Sequence, residues 1–249
     1  MIQIRDLIIG EGKPKIVVPI DQKTERQIIP QSQQAFVSPA EIIEWRADYF
    51  ENWKDDNAVL RILKSIRMNI GAKALLFTFR SKEEGSNVAI KDGEYLHLLK
   101  LAIDSRLIDL IDVECCVSEY RAIELISYAH EKKVPVIGSN HSFIKLLTIG
   151  EMDYRIRYMQ KLGVDIAKIV VQPERKKDVY KILCATYDLC EDLELPIAVL
   201  GRSDIGKYTR VLGEMFGSCM TWSTLSKAEN PGEIDVYRIS EIISSLHDM

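Results

Sequence analysis

The chain has 249 residues, 47% of them hydrophobic and 28% charged, enough for a sizeable core and close to the roughly 250 residues that a complete α/β barrel occupies as one unit. Lys and Arg total 33 against 37 Asp and Glu, a formal charge of -4, so no global basic field is present to hold nucleic acid and an anionic ligand must be gripped by locally placed cations. No apolar run reaches the ~18 residues of a membrane span, and the opening MIQIRDLIIGEG carries charges where a signal peptide is apolar, which predicts a cytoplasmic protein without membrane contact.

The first segment, IQIRDLIIGEGKPKI, alternates and then reaches Gly10 and Gly12, which predicts a hairpin turning there, ahead of the first core strand and able to cover one end of the fold. KIVVPI from Lys15 opens a series of short runs rich in Val and Ile. IIEWRAD from Ile42, ALLFTFR from Ala74, LIDVEC from Leu110 and PVIGSNH from Pro135 follow, then IAKIVVQ from Ile166, PIAVLG from Pro196 and SCMTW from Ser218. Between them apolar residues repeat at three and four, for example over 57–69, 93–105, 119–132 and 153–162, which is the helical period. Alternating strands and helices predict a parallel sheet, and eight strands predict a closed (β/α)8 TIM barrel, α/β in class, spanning 1–249 as one domain. Cys115, Cys116, Cys184, Cys190 and Cys219 form no CxxC pair and have no histidine at ligand spacing. Reduced thiols, mostly in the core, and no metal centre are expected.

In a barrel the chemistry collects at the C-terminal ends of the strands. Glu44 and Arg46 close the second run, Arg80 the third, Glu114 the fourth and His141 the fifth, while Lys168 sits inside the sixth. Burying an unpaired charge is costly, so these groups need partners or a task. Lys168 shares a strand face with Ile166 and Val170. Desolvated inside a barrel and near other cations, it would keep some neutral amine able to attack a carbonyl; a strand-end lysine paired with a carboxylate is the other reading. His141 could move protons near neutral pH or serve as a structural histidine. His97, His130 and His247 fall in helical patterns, as surface or packing residues.

Glu44 with Arg46, and Arg80 with Glu84, offer charges of both signs to one cavity, either for a ligand or as salt bridges at the barrel mouth. Arg210, in a polar loop and short helix after the seventh strand, has the donor fork that suits a carboxylate. The stretch from Gly201 to Lys207 lacks the spacing of a phosphate-binding P-loop and reads as an ordinary loop.

Taken in order, GEGKPKIVVPI, EWRAD, TFRSKEEG, SNHSF, DIAKIVV and GKYTRVLGEMFGS followed by PGE resemble the type I 3-dehydroquinate dehydratases, a shikimate-pathway family, nearly end to end. The resemblance implies a cytoplasmic, homodimeric lyase of aromatic amino acid biosynthesis that needs no cofactor and acts on 3-dehydroquinate. It implies Lys168 as the nucleophile toward the C3 ketone and His141 as base and then acid, with Glu84 orienting His141 and Glu44 assisting. Arg46, Arg80 and Arg210 would bind the substrate's hydroxyl and carboxylate groups.

The chain departs from the family at the substrate lid, where Ser-x-Pro-Gly-Gln becomes Glu229-Asn230-Pro231-Gly232-Glu233. After the seventh strand Met-Ser-Met-Gly becomes Leu200-Gly201-Arg202-Ser203, and the aspartate after the histidine is Ser142. Two glutamates beside a substrate carboxylate predict weaker binding, offset if Arg202 pairs with Glu229 or Glu233 or itself reaches the substrate. These departures leave two further readings: a Schiff-base lyase for a related hydroxy ketone, and a weakly active paralogue that binds a pathway metabolite. The second is opposed by the presence of Lys168, His141, Glu84 and Glu44 together.

Overall fold

A computed structural model describes residues 1–143, 147–225 and 231–247. Its centre is an eight-stranded parallel barrel made of β3 (Lys15–Ile20), β4 (Ile42–Arg46), β5 (Ala74–Thr78), β6 (Leu110–Glu114), β7 (Val136–Ser142), β8 (Ile166–Val171), β9 (Ile197–Gly201) and β10 (Met220–Trp222). Neighbours in sequence are neighbours in the sheet, and β10 returns to pair with β3. A bridge between Ile197 and Ser218, with the Cys219 amide donating to the Ile197 carbonyl at 2.8 Å, joins β9 to the start of β10 and closes the ring. The helices lie outside: α1 (Glu25–Val37), α2 (Asp56–Ile70), α3 (Asp92–Asp104), α4 (Glu119–Glu131), α5 (Ile149–Leu162), α6 (Lys176–Asp192), α7 (Lys207–Val211) and α8 (Val236–His247). None of the described helices is long and apolar enough to cross a membrane.

Local chemistry accounts for these elements. The Asp55 carboxylate caps α2 by accepting from the Asn57 and Ala58 amides, and the helix buries Val59, Ile62, Leu63, Ile66 and Ile70 at helical spacing. Thr148 and Glu151 cap α5 reciprocally, and Gly163, at φ +85°, ends it in the left-handed conformation. Strand alternation then divides two cores. On β8, Ala167, Ile169 and Val171 face the helices, whereas Ile166 and Val170 point into the barrel with Val17, Ile42, Leu76 and Leu110. Lys168 lies on the inward face between Ile166 and Val170.

The opening hairpin is present, but its turn is not where glycine content predicts. Strands β1 (Ile2–Ile4) and β2 (Leu7–Ile9) pair antiparallel with Ile4 opposite Leu7, so the turn falls at Arg5 and Asp6, with Arg5 at φ +52°. Tertiary contacts explain the shift: Arg5 Nε donates to Asp109 at 2.6 Å, and Ile4 and Ile9 are buried against the barrel's interior residues. Gly10 and Gly12, at φ +90° and +64°, instead bend the chain from the hairpin into β3. The hairpin thereby covers the N-terminal end of the barrel and leaves the other end open. The five cysteines are free, but only Cys115 and Cys219 are buried, and Cys116 is exposed, fewer in the core than the composition suggested.

Candidate active site

A cavity of about 220 Å³ opens at the C-terminal ends of the strands and is lined by Glu44, Arg46, Arg80, Glu84, His141 and Lys168 among others. All six of these residues were singled out from sequence, and barrel closure brings them to one place.

Lys168 is 3% exposed. Its Nζ lies 3.6 Å from Asp112 Oδ2 and 4.0 Å from Glu44 Oε1, and 3.8 Å from the centre of the Trp222 ring. Burial lowers its pKa from the ordinary lysine value; Glu44 and Asp112 pull it back up, and Arg80 and Arg46 add to the lowering. Both readings of the residue therefore hold at once: it has carboxylate neighbours, yet burial favours the neutral amine that can act as a nucleophile. Glu44 is held by the Thr78 hydroxyl (2.8 Å) and the Trp222 indole N–H (3.1 Å), both donating to its carboxylate.

His141 stands on the strand next to Lys168. The register pairs Ser139 with Lys168 and His141 with Val170, which places the imidazole two residues, or about 6–7 Å, further toward the barrel mouth. Its Nδ1 lies 2.8 Å from Glu84 Oε2, which leaves Nε2 on the opposite edge of the ring. Burial holds the imidazole well below the usual histidine range, and Arg80, Lys168, Arg46 and Arg202 push the same way. Burial also drives the Glu84 carboxyl up, to about 8, with Arg80 opposing and Glu114 and Asp112 reinforcing. Glu84 and His141 are hydrogen-bonded and titrate as a pair. When the pair has lost its second proton it is a carboxylate holding a neutral imidazole, the form that can accept a proton at Nε2.

Glu84 is fixed from three sides, since Asn140 Nδ2 donates to Oε1 at 2.9 Å and Arg80 Nη1 donates to Oε2 at 3.2 Å beside His141. The Asn140 carbonyl accepts in turn from Arg155 of α5. After Glu84, Gly85 turns the chain at φ +93°, and a side chain there would meet the Phe143 ring at 2.2 Å. Phe143 itself lies between the His141 ring, 5.7 Å away, and the Arg202 guanidinium, 4.8 Å away.

The predicted substrate-binding arginines differ in how committed they are. Arg46 pairs with Asp48, not Glu44, through two bonds of 2.9 Å. Arg80 is 4% exposed, with Nη2 chelated by Asp112 (3.0 and 3.0 Å) and Nη1 against Glu84, Glu114 (3.1 Å) and Ser139 (3.0 Å). Arg210 is different. Its Nη1 donates to the Trp222 carbonyl at 2.7 Å, its buried Nε has no hydrogen-bond partner among the described residues, and burial pushes its pKa down to about 10, with Glu233 opposing and Arg202 assisting. A buried, under-satisfied guanidinium at a cavity wall suits an incoming carboxylate. Arg202 and Glu233 also line the cavity, whereas Glu229 lies outside the described residues.

Asp112, Ser139, Asn140, Thr78, Asp48 and Trp222 also belong to the site, though they are not among the residues expected there from sequence. Asp112 carried a usable signal: it shares the inward face of β6 with Glu114, and charge inside an apolar strand demands partners. Ser139 likewise alternates with His141 on β7. Glu114, at the end of the fourth strand, is wholly buried against Arg80 and Arg121. His97, His130 and His247 stand outside the cavity, beside Asp56, Asp165 and Glu214 respectively. Among the described residues no group of three or more His, Cys, Asp or Glu is placed to hold a metal ion.

Residues 16–249 match the family model described as type I 3-dehydroquinase. The chain is 39% identical to a 3-dehydroquinate dehydratase of Salmonella typhimurium over 247 residues, covering 99% of this chain and 98% of that one. Among solved structures it superposes on a type I 3-dehydroquinate dehydratase of Clostridium difficile, with covalently modified comenic acid, at a TM-score of 0.97 and 37% identity, covering 99% of this chain and 98% of that one. A 3-dehydroquinate dehydratase of Geobacillus kaustophilus gives 0.95 at 28% identity, covering 99% and 96%.

Proposed function

Because the chain belongs to the type I 3-dehydroquinase family, and is therefore an enzyme of the hydro-lyase class, we propose that it dehydrates 3-dehydroquinate to 3-dehydroshikimate through a Schiff base on Lys168. The observation that carries this reading is the buried Lys168 amine, with its lowered pKa, one strand away from the Glu84–His141 pair.

Neutral Nζ attacks the C3 ketone carbon and, with one proton taken up from solvent, the carbonyl oxygen leaves as water and an iminium remains. That cation draws electrons from the adjacent C–H bond, so His141 Nε2 removes the C2 proton and the electron pair moves to the iminium nitrogen as an enamine. The enamine expels the C1 hydroxyl, which takes a proton from the His141 imidazolium and leaves as water. Hydrolysis of the conjugated iminium releases the enone and restores Lys168. Glu84 holds the imidazole in one orientation and balances its positive charge while it carries the proton. Asp112 and Glu44 flank the iminium nitrogen; Arg80, Lys168 and Ser139 hold Asp112 below the usual carboxylate range although burial pushes it upward, so it stays anionic beside the cation. Arg210, whose Nε has no hydrogen-bond partner among the described residues, binds the substrate carboxylate, and Arg46 reaches a substrate hydroxyl at the mouth.

The covalently modified comenic acid in the structure of the Clostridium difficile relative supports a reading with a covalent step. The test incubates the protein with 3-dehydroquinate, follows enone formation by absorbance and traps the intermediate with borohydride. A reduced adduct mapping to Lys168, and loss of both adduct and turnover in Lys168→Ala, is expected. No adduct, or one on another lysine, would overturn the mechanism; turnover of a related hydroxy ketone in preference to dehydroquinate would overturn the substrate.

A further inference from the structure

Behind the barrel wall, α4 carries a buried arginine that the chemistry above does not use. Arg121 is 1% exposed. Its Nη2 donates to Glu114 Oε2 at 3.0 Å and its Nη1 reaches Asp92, at the start of α3, at 3.4 Å. The guanidinium lies 3.9 Å from the centre of the Tyr95 ring, and its Nε has no hydrogen-bond partner among the described residues. The other Glu114 oxygen accepts from Arg80 Nη1 (3.1 Å) and from the Ser81 amide (2.7 Å). Arg80 Nη1 is in turn on Glu84, and Glu84 is on His141. A continuous row of alternating charges, Arg121, Glu114, Arg80, Glu84 and His141, thus runs from the helix layer through the wall to the site.

The charge balance shows what Arg121 does in this row. Arg80 is contacted by three buried carboxylates, Glu84, Asp112 and Glu114. Lys168 stands beside Asp112 on one side, and Arg121 holds Glu114 on the other. Without Arg121, Glu114 would have Arg80 as its only ion-pair partner among the described residues and would draw that guanidinium toward itself and away from Glu84. Buried ion pairs of this kind often add no stability over apolar side chains of similar volume, while removing one member leaves an uncompensated charge. From this geometry we infer that Arg121, acting through Glu114, is a positioning residue that keeps Arg80 on Glu84 and so sets the state of the Glu84–His141 pair.

The groups facing that pair are Arg80, Asp112, Glu114, Asn140, Cys115 and Cys116 around Glu84, and Lys168, Arg46 and Arg202 around His141. Of these, Glu114 is bonded to Arg121 directly and Arg80 through Glu114, so a change at Arg121, one layer out, reaches the pair along that row. Removing its positive charge strengthens the effect of Glu114 on Glu84, which raises the Glu84 pKa. The pair then keeps its second proton to higher pH, and the base-competent form appears later as pH rises.

The inference rests on the proposed mechanism for its kinetic consequence, but its main readout needs no substrate. The His141 ring is titrated by NMR in the free full-length protein, assigned with His141→Gln, alongside the pH profile of kcat. Arg121→Gln is expected to raise the titration midpoint of the pair by about one unit, with the acid limb of kcat following and KM little changed, and Arg121→Lys is expected to restore most of the shift. Glu114→Gln is expected to lower the midpoint and to abolish the effect of Arg121→Gln in the double variant. An unmoved midpoint in folded Arg121→Gln, or an undiminished shift in the double variant, overturns the inference. If Arg121→Gln does not fold, Glu114→Gln decides, and a midpoint that fails to fall overturns it. Loss of the Lys168 adduct in the unaltered protein would sink the proposed function while leaving the titration result to stand separately.

Discussion

Glu84→Gln removes one charge and changes almost no volume, and the bonding around Glu84 dictates what must follow. The carboxylate now accepts from Asn140 Nδ2 at Oε1, and from Arg80 Nη1 at Oε2, where His141 Nδ1 also bonds. An amide has one acceptor oxygen and a donor NH2, so one of these two positions becomes donor against donor. Turning the amide oxygen toward Arg80 and His141 sets its NH2 against Asn140 Nδ2. Asn140 cannot flip to relieve this, because its carbonyl accepts from Arg155 and a flip moves the clash there. One buried donor is therefore left unsatisfied, at about 1–3 kcal/mol, and the bonds to Arg80 and His141 lose charge assistance, roughly 1 kcal/mol each. The unsatisfied donor is present in free enzyme, complex and transition state alike and so lowers stability, whereas the lost charge assistance counts where the imidazole becomes a cation and falls on kcat. About 2 kcal/mol lost there corresponds to a fall of roughly 30-fold. The assay is initial-rate enone formation over a pH series with borohydride trapping in parallel. Trapping should persist while kcat falls and KM changes little. Turnover within a few-fold of the unaltered enzyme would refute the assignment of Glu84 as the group that holds and balances His141.

Glu44 raises the Lys168 pKa, so Glu44→Gln should lower it further, increase the neutral amine at a given pH and move the trapping profile to lower pH; a shift to higher pH would remove Glu44 from the lysine's surroundings. Arg210→Met should raise KM for dehydroquinate about 10- to 100-fold, the loss of one or two charge-assisted bonds, with kcat nearly constant as expected for uniform binding, and an unchanged KM would mean the carboxylate is held elsewhere. Glu233→Gln should lower KM, since the carboxylate of Glu233 offsets the charge of Arg210, and a raised KM would show that Glu233 itself recognises the substrate.

Much of this was legible in the chain because strand period and barrel geometry are short-range and regular. Eight Val- and Ile-rich runs fix inward and outward faces by alternation alone, so Lys168 had to share a face with Ile166 and Val170, and Glu44 with Arg46. The motif order around Glu44, Arg80, Glu84, His141 and Lys168 carried the family. Partner choice was not legible. Nothing local says that Arg46 grips Asp48 and not Glu44, that Arg80 is chelated by Asp112, or that Arg121, on a helix outside the barrel, holds Glu114 from behind. The hairpin turn fell at Arg5 and Asp6, against the preference of Gly10 and Gly12, because the distant Asp109 and the buried bottom of the barrel outweigh local turn propensity. Alternation and helical spacing depend on a few neighbouring residues and are written in the sequence. The pairing of buried charges depends on which strands closure brings within about 4 Å, where desolvation makes every partner count, and only the tertiary structure decides that.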